Sequence, residues 1–92
     1  MFYTYMIECK GKDGRLSLYT GYTNAIKRRF AEHRTGRGAR YTRGKSLRLV
    51  FFQTFRTQVD AMRREREIKS FSKPRKIAII KDARMNEHFT RM

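Results

Sequence analysis

A chain of 92 residues has room for one small domain with a modest core, and not for two. Lys and Arg number 23 against 8 for Asp and Glu, a net charge of +15 that repels itself in a compact domain and calls for a polyanionic partner: nucleic acid first, an anionic membrane surface second. At 39% hydrophobic and 13% aromatic the composition argues against disorder, the single Cys9 excludes a disulfide framework and suits a reducing interior, and no apolar run approaches the roughly 20 residues that span a bilayer.

Residues 2–8 (FYTYMIE) are aromatic and β-branched and read as a strand. Glu8 interrupts the stretch and no basic residue precedes it, so it is not a secretion signal. Gly11-Lys12-Asp13-Gly14 is turn chemistry, and residues 16–20 (LSLYT) alternate as a half-buried strand does, which predicts a β-hairpin. Gly21 closes the second strand, where a side chain is excluded or φ is positive. Asn24 is the expected N-cap of a helix over 24–34, with Ile26 and Phe30 on its apolar face. Residues 35–46 (TGRGARYTRGKS) form a flexible cationic loop. Residues 47–54 (LRLVFFQT) are a third strand, apolar on both faces through Leu49, Phe51 and Val50, Phe52, and so expected to be the most buried one. Thr57 caps a second helix over 58–71. Ser72 precedes a third over 73–84, with Pro74 in its first turn, and 85–92 read as a loosely held tail. The order β-β-α-β-α-α is an α+β domain over residues 1–84: a three-stranded antiparallel sheet flanked by helices.

Four features carry candidate chemistry. A helix turning about 100° per residue puts Arg29 and His33 on the flanks of the Ile26–Phe30 face and turns Arg28 to solvent. Arg29 either lays its stem over the core or offers its charge to a ligand. The same rule sets Glu65 within the Ala61, Met62, Ile68 arc of the second helix and Glu67 nearer solvent. A carboxylate there needs an arginine partner or a cation. Tyr3 and Tyr5 share one face of the first strand, and Tyr19 ends the second. These rings either pack or stack on bases. Tyr5 and Tyr19 share a face if they pair directly across the hairpin, and a slip of one residue would part them. In the basic loop Arg37, Arg40, Arg43 and Lys45, with Tyr41 and Thr42 among them, are candidates for phosphate or base contact.

Taken in order, Tyr5, Tyr19-Thr20-Gly21, Arg29 and Glu65 resemble the GIY-YIG nuclease domain, in particular its small stand-alone bacterial members. The resemblance covers about residues 2–80 through SLYTGYTNAIKRRFAEH, GRGARYTRG and AMRREREIKSFS. The GIY position reads Tyr3-Thr4-Tyr5 here and the YIG position Tyr19-Thr20-Gly21. Many larger members also place an asparagine after the last core helix, for which Asn86 is a late candidate. The resemblance implies metal-dependent hydrolysis of a DNA phosphodiester, in an intracellular, cytoplasmic and DNA-associated setting such as repair or recombination. Tyr5 would orient or deprotonate the attacking water with Tyr19 beside it, and His33 would assist. Arg29 would hold the scissile phosphate, and Glu65 would hold one Mg²⁺ or Mn²⁺. The expected partner is nucleic acid, DNA above RNA, with no membrane and no small-molecule cofactor, and the chain acts as a monomer or weak dimer. The alternative is a nucleic-acid-binding module of the same fold that does not cleave.

Overall fold

The computed structural model describes residues 1–91, with side chains through Arg84. Its elements are β1 (Phe2–Lys10), β2 (Leu16–Thr23), α1 (Ile26–Arg34), a 3-10 turn (Arg40–Thr42), β3 (Ser46–Phe55), α2 (Gln58–Lys69) and α3 (Lys73–Arg91). The strands form one antiparallel sheet in the order β2-β1-β3. Helix α3 is longer than the expected 73–84. The expected tail 85–92, Asn86 included, lies outside the residues whose side chains are described.

β1 is the central strand, and its alternation builds two small cores. Tyr5, Ile7 and Cys9 face α1 and meet Ile26, Phe30, Leu47 and Leu49. Met6 faces the other way, onto Ile68 of α2 and Ile80 of α3, with Phe51. Beside it the Thr4 hydroxyl donates to the Ala61 carbonyl at 2.7 Å, which ties α2 to the sheet. Met6, Ile7 and Ile68 are fully buried, and each contributes roughly 1.5–3 kcal/mol of burial.

The apolar run of β3 has a different cause from the one expected. β3 is an edge strand, and Phe52 is 51% exposed. Met6 pairs with Phe51 but Ile7 pairs with Leu49, so Val50 is an extra residue in the ladder, a β-bulge. Without the bulge Leu49 and Phe51 would share a face. With it, Leu47 and Leu49 pack toward α1, while Val50 and Phe51 pack toward α2 and α3.

Other local expectations hold or shift for identifiable reasons. Thr57 caps α2, its hydroxyl accepting from the Asp60 N–H at 3.2 Å. Asn24 is not a cap: α1 starts after Ala25, whose N–H donates to the Thr23 hydroxyl, and Asn24 Oδ1 instead accepts from Arg28. The cationic loop is not wholly irregular, since Arg40–Thr42 make a 3-10 turn in it.

Thr20 of β2 is buried, and its hydroxyl has no hydrogen-bond partner among the described residues. An orphan of this kind costs about 1–3 kcal/mol. Thr20→Val keeps the shape and removes the hydroxyl, so it raises the unfolding free energy by about 1 kcal/mol in a denaturant titration. A value below wild type would mean that the hydroxyl finds a partner in solution.

Candidate active site

The site begins at the pairing of β1 with β2. Tyr5 sits opposite Gly21 and Tyr19 opposite Ile7, two residues away from the direct Tyr5–Tyr19 pairing expected. A shift of two preserves parity, so both rings stay on the α1 face, with centroids 6.4 Å apart. Gly21 is needed for space and not for its dihedral, because its φ is not positive. A Cβ there would lie 2.5 Å from Tyr5 Oη and 2.7 Å from Cζ. The bare backbone at position 21 is what lets the Tyr5 ring lie across β2.

α1 supplies the next layer. His33 is 1% exposed, and its Nε2 is 2.9 Å from Tyr5 Oη. Its ring also meets the Tyr5 and Tyr19 rings edge-on. On the other side Nδ1 is 3.0 Å from Thr42 Oγ1, and that hydroxyl donates to the Ala39 carbonyl at 2.8 Å. With its hydrogen so committed, Thr42 accepts from Nδ1–H, and Nε2 is left as an acceptor for the Tyr5 hydroxyl. This tautomer leaves the Ala39 N–H, at 3.4 Å from Nδ1 the longest approach of the set, without an acceptor there. The chain packs closely here as well: a Cβ on Gly38 would run into the imidazole.

Arg29 lies on the same flank of α1 as His33, half-buried, and its guanidinium pairs with Glu32 at 3.3 Å. Arg28 is exposed, as the helical period predicts. From α2, on the opposite face of the sheet, Glu65 reaches the free edge of β2. Its side chain is 16% exposed and its partner is Lys69, with Nζ 3.6 Å from Oε1, rather than an arginine. Glu67 is exposed and pairs with Arg64. Tyr5, Tyr19, Gly21, Arg29 and Glu65 thereby line one open cleft of about 640 Å³, together with Asn24, read from the sequence only as a helix cap, and Gln58, which the sequence did not single out.

The electrostatics of the cleft follow from its walls. Burial pushes the Tyr5 phenol up to about 12, and the Arg29 guanidinium beside it opposes the shift. Burial, then the Arg29 charge, pull His33 below its ordinary value, so the imidazole is neutral at pH 7. Burial works against the Arg29 charge, but hydrogen bonding to Tyr5 and Glu32 outweighs it, so its pKa is raised and the charge is held. Among the described residues no group of three His, Cys, Asp or Glu side chains comes together as a metal cage. The cleft instead offers one carboxylate, Glu65. That donor set fits an ion such as Mg²⁺, which keeps waters and takes its other oxygens from a phosphate.

The basic loop divides. Tyr41 stacks on Tyr19 with centroids 6.2 Å apart, and Lys45 Nζ lies 3.5 Å from the Tyr41 ring centre. Neither lines the cleft, and they adjoin it only through Tyr19. Arg37, Arg40 and Arg43 are exposed and do not line the cleft, and Arg43 bends back to the Gly36 carbonyl. Thr42, expected as a nucleic-acid contact, is 1% exposed and turned inward to hold His33. No spacing rule pointed to that role, because a 3-10 turn in a glycine-rich loop creates it. No helix among the described residues is long and apolar enough to cross a membrane.

A tyrosine pair backed by histidine thus shares one cleft with an arginine and a lone carboxylate. Residues 1–78 match the model of the GIY-YIG catalytic domain, and the chain belongs to that family. Similar proteins include a UPF0213 protein of Haloquadratum walsbyi, 47% identical over 75 residues, which are 80% of either chain. Another, from Staphylococcus haemolyticus, is 42% identical over 81 residues, 87% of this chain and 94% of its own. The solution NMR structure of a UPF0213 protein from Bacillus halodurans is 40% identical over 86% of this chain and 83% of its own, with a TM-score of 0.48.

Two outcomes follow from this packing. Gly21→Ala drives a methyl group into the Tyr5 phenol and lowers the unfolding free energy by about 1–3 kcal/mol. A change under about 0.5 kcal/mol in denaturant titration would show that the ring is not wedged against β2. His33 sets a pH dependence. Its folded pKa lies below the unfolded value of about 6.5, so the unfolded chain binds more protons and stability falls as pH drops through that value. Unfolding measured from about pH 7 to 5 shows this slope, and His33→Gln flattens it. An unchanged slope would place the titration elsewhere.

Proposed function

We propose that the protein is a divalent-metal-dependent endonuclease that hydrolyses phosphodiester bonds of DNA. The reading rests on one observation above the rest: Tyr5, Tyr19, Arg29 and Glu65 come from four different elements and line a single cleft. The charge of +15 favours a polyanionic substrate, and family membership favours a nuclease.

Each residue has a task that its surroundings support. Arg29, held charged, binds the scissile phosphate and stabilises the charge that develops on it. Tyr5 orients the attacking water. With its pKa near 12 it is a poor base alone, but its hydroxyl faces the lone pair of neutral His33 at 2.9 Å. The water proton therefore passes to Tyr5 Oη while the Tyr5 proton passes to His33 Nε2, so no free phenolate is formed. The water oxygen bonds to phosphorus and the bond to the leaving oxygen breaks. Thr42 fixes the His33 tautomer that makes this direction of transfer available. Tyr19 packs beside Tyr5 and closes the site toward Tyr41. Glu65 would hold one Mg²⁺ or Mn²⁺, which when bound offsets charge on the phosphate and the departing oxygen.

The test is cleavage of a labelled panel of single-stranded, duplex, flap and branched DNA, and RNA, with Mg²⁺ or Mn²⁺ and with chelator. Cleavage is expected with metal, and its loss is expected with chelator and in Glu65→Ala, by at least about 100-fold. Binding of the panel by Glu65→Ala is expected to survive. Cleavage unchanged in that variant would remove Glu65 from the mechanism. Salt-dependent binding with no turnover on any substrate would favour a binding module that keeps the fold.

A further inference from the structure

A smaller pocket adjoins the cleft. It is an open depression of about 230 Å³, lined by Leu18, Tyr19, Thr20, Tyr41, Lys69 and Lys76. Tyr19 lines both spaces, so its ring is the wall between them. Lys69 also spans the divide, lining the small pocket while its Nζ lies 3.6 Å from Glu65 Oε1 at the cleft. Lys76 comes from α3, a helix none of whose described residues lines the cleft. Lys45 adds a third ammonium group over the Tyr41 ring. Among the described residues no carboxylate lines the pocket, and Thr20 borders it with its hydroxyl closed off from solvent.

Two lysines from two helices beside a wall of stacked tyrosines match the needs of a phosphate whose sugar or base rests on an aromatic face. We propose that this pocket binds a phosphate flanking the scissile one. The strand then runs from Arg29 across Tyr19 and Tyr41 to Lys69 and Lys76, and the substrate is a polynucleotide gripped at two phosphates rather than an isolated diester. The identity of the ligand rests on the nuclease reading. The pocket itself rests on its own residues.

The experiment titrates the full chain, in chelator, with oligothymidylates carrying one, two or three phosphates, followed by NMR. For wild type, the step from one phosphate to two raises affinity by about tenfold, the worth of one charge-assisted contact. Amide shifts then extend from Arg29 to Thr20, Tyr41 and Lys76. In Lys76→Ala the step shrinks to under about threefold, in Lys76→Arg it is restored, and in Lys12→Ala, an equal loss of charge at the hairpin turn, it is kept. No step in wild type, a full step in Lys76→Ala, or an equal loss in Lys12→Ala would overturn the subsite. Chelated binding needs no turnover, so the two readings fail separately. A strand held at both phosphates but never cut would leave the subsite standing and remove the nuclease.

Discussion

The Tyr5 ring lies across the neighbouring strand because position 21 has no side chain to stop it. That contact orders much of the rest. With Gly21 beneath it, the phenol points along the sheet toward α1, where His33 is within hydrogen-bond distance. His33 in turn is held by Thr42 and packed by Gly38, which fixes the path of the loop between α1 and β3. A strand pairing, a helix face and a glycine-rich turn are thus tied through two aromatic rings. Most of this chain of contacts is buried, and it ends in a single half-open cleft.

The charge of the protein acquires a shape from the same arrangement. A surplus of fifteen positive charges spread evenly would attract any polyanion and place it nowhere. Here the carboxylates near the cleft are each taken up by a neighbour, Glu32 by Arg29 and Glu65 by Lys69. Half-exposed pairs of this kind add little to stability. Their effect is positional: they hold long cationic side chains at the rim of the cleft.

The legible part of the sequence was angular. Helical period separated Arg29 from Arg28 and Glu65 from Glu67, because one helix turn decides which side chain faces the sheet. Strand parity put Tyr5 and Tyr19 on one face even though the pairing is two residues away from the direct one. What could not be read depends on contacts between distant segments. Whether β3 lies at the centre or the edge is a property of strand order, and its apolar residues look the same either way. The inward turn of Thr42 arises from a 3-10 turn that glycine-rich composition masks as a plain loop. The partner of Glu65 proved to be its own helix neighbour Lys69, close in sequence but hidden among many arginines.

The extra residue at Val50 has one more effect. It acts as a change of reading frame within β3: on its N-terminal side the residues facing α1 are odd-numbered, and beyond it Phe51 looks the other way. Losing Val50 would leave Leu49 opposite Ile7 and Phe51 opposite Met6, a regular ladder with each of those side chains on its present face. A change of length elsewhere in the strand would instead turn one segment over and send its apolar side chains to the wrong core. The bulge is therefore the one place where this edge strand can shorten and keep its frame, at the cost of the contacts Val50 makes with the Met6 core.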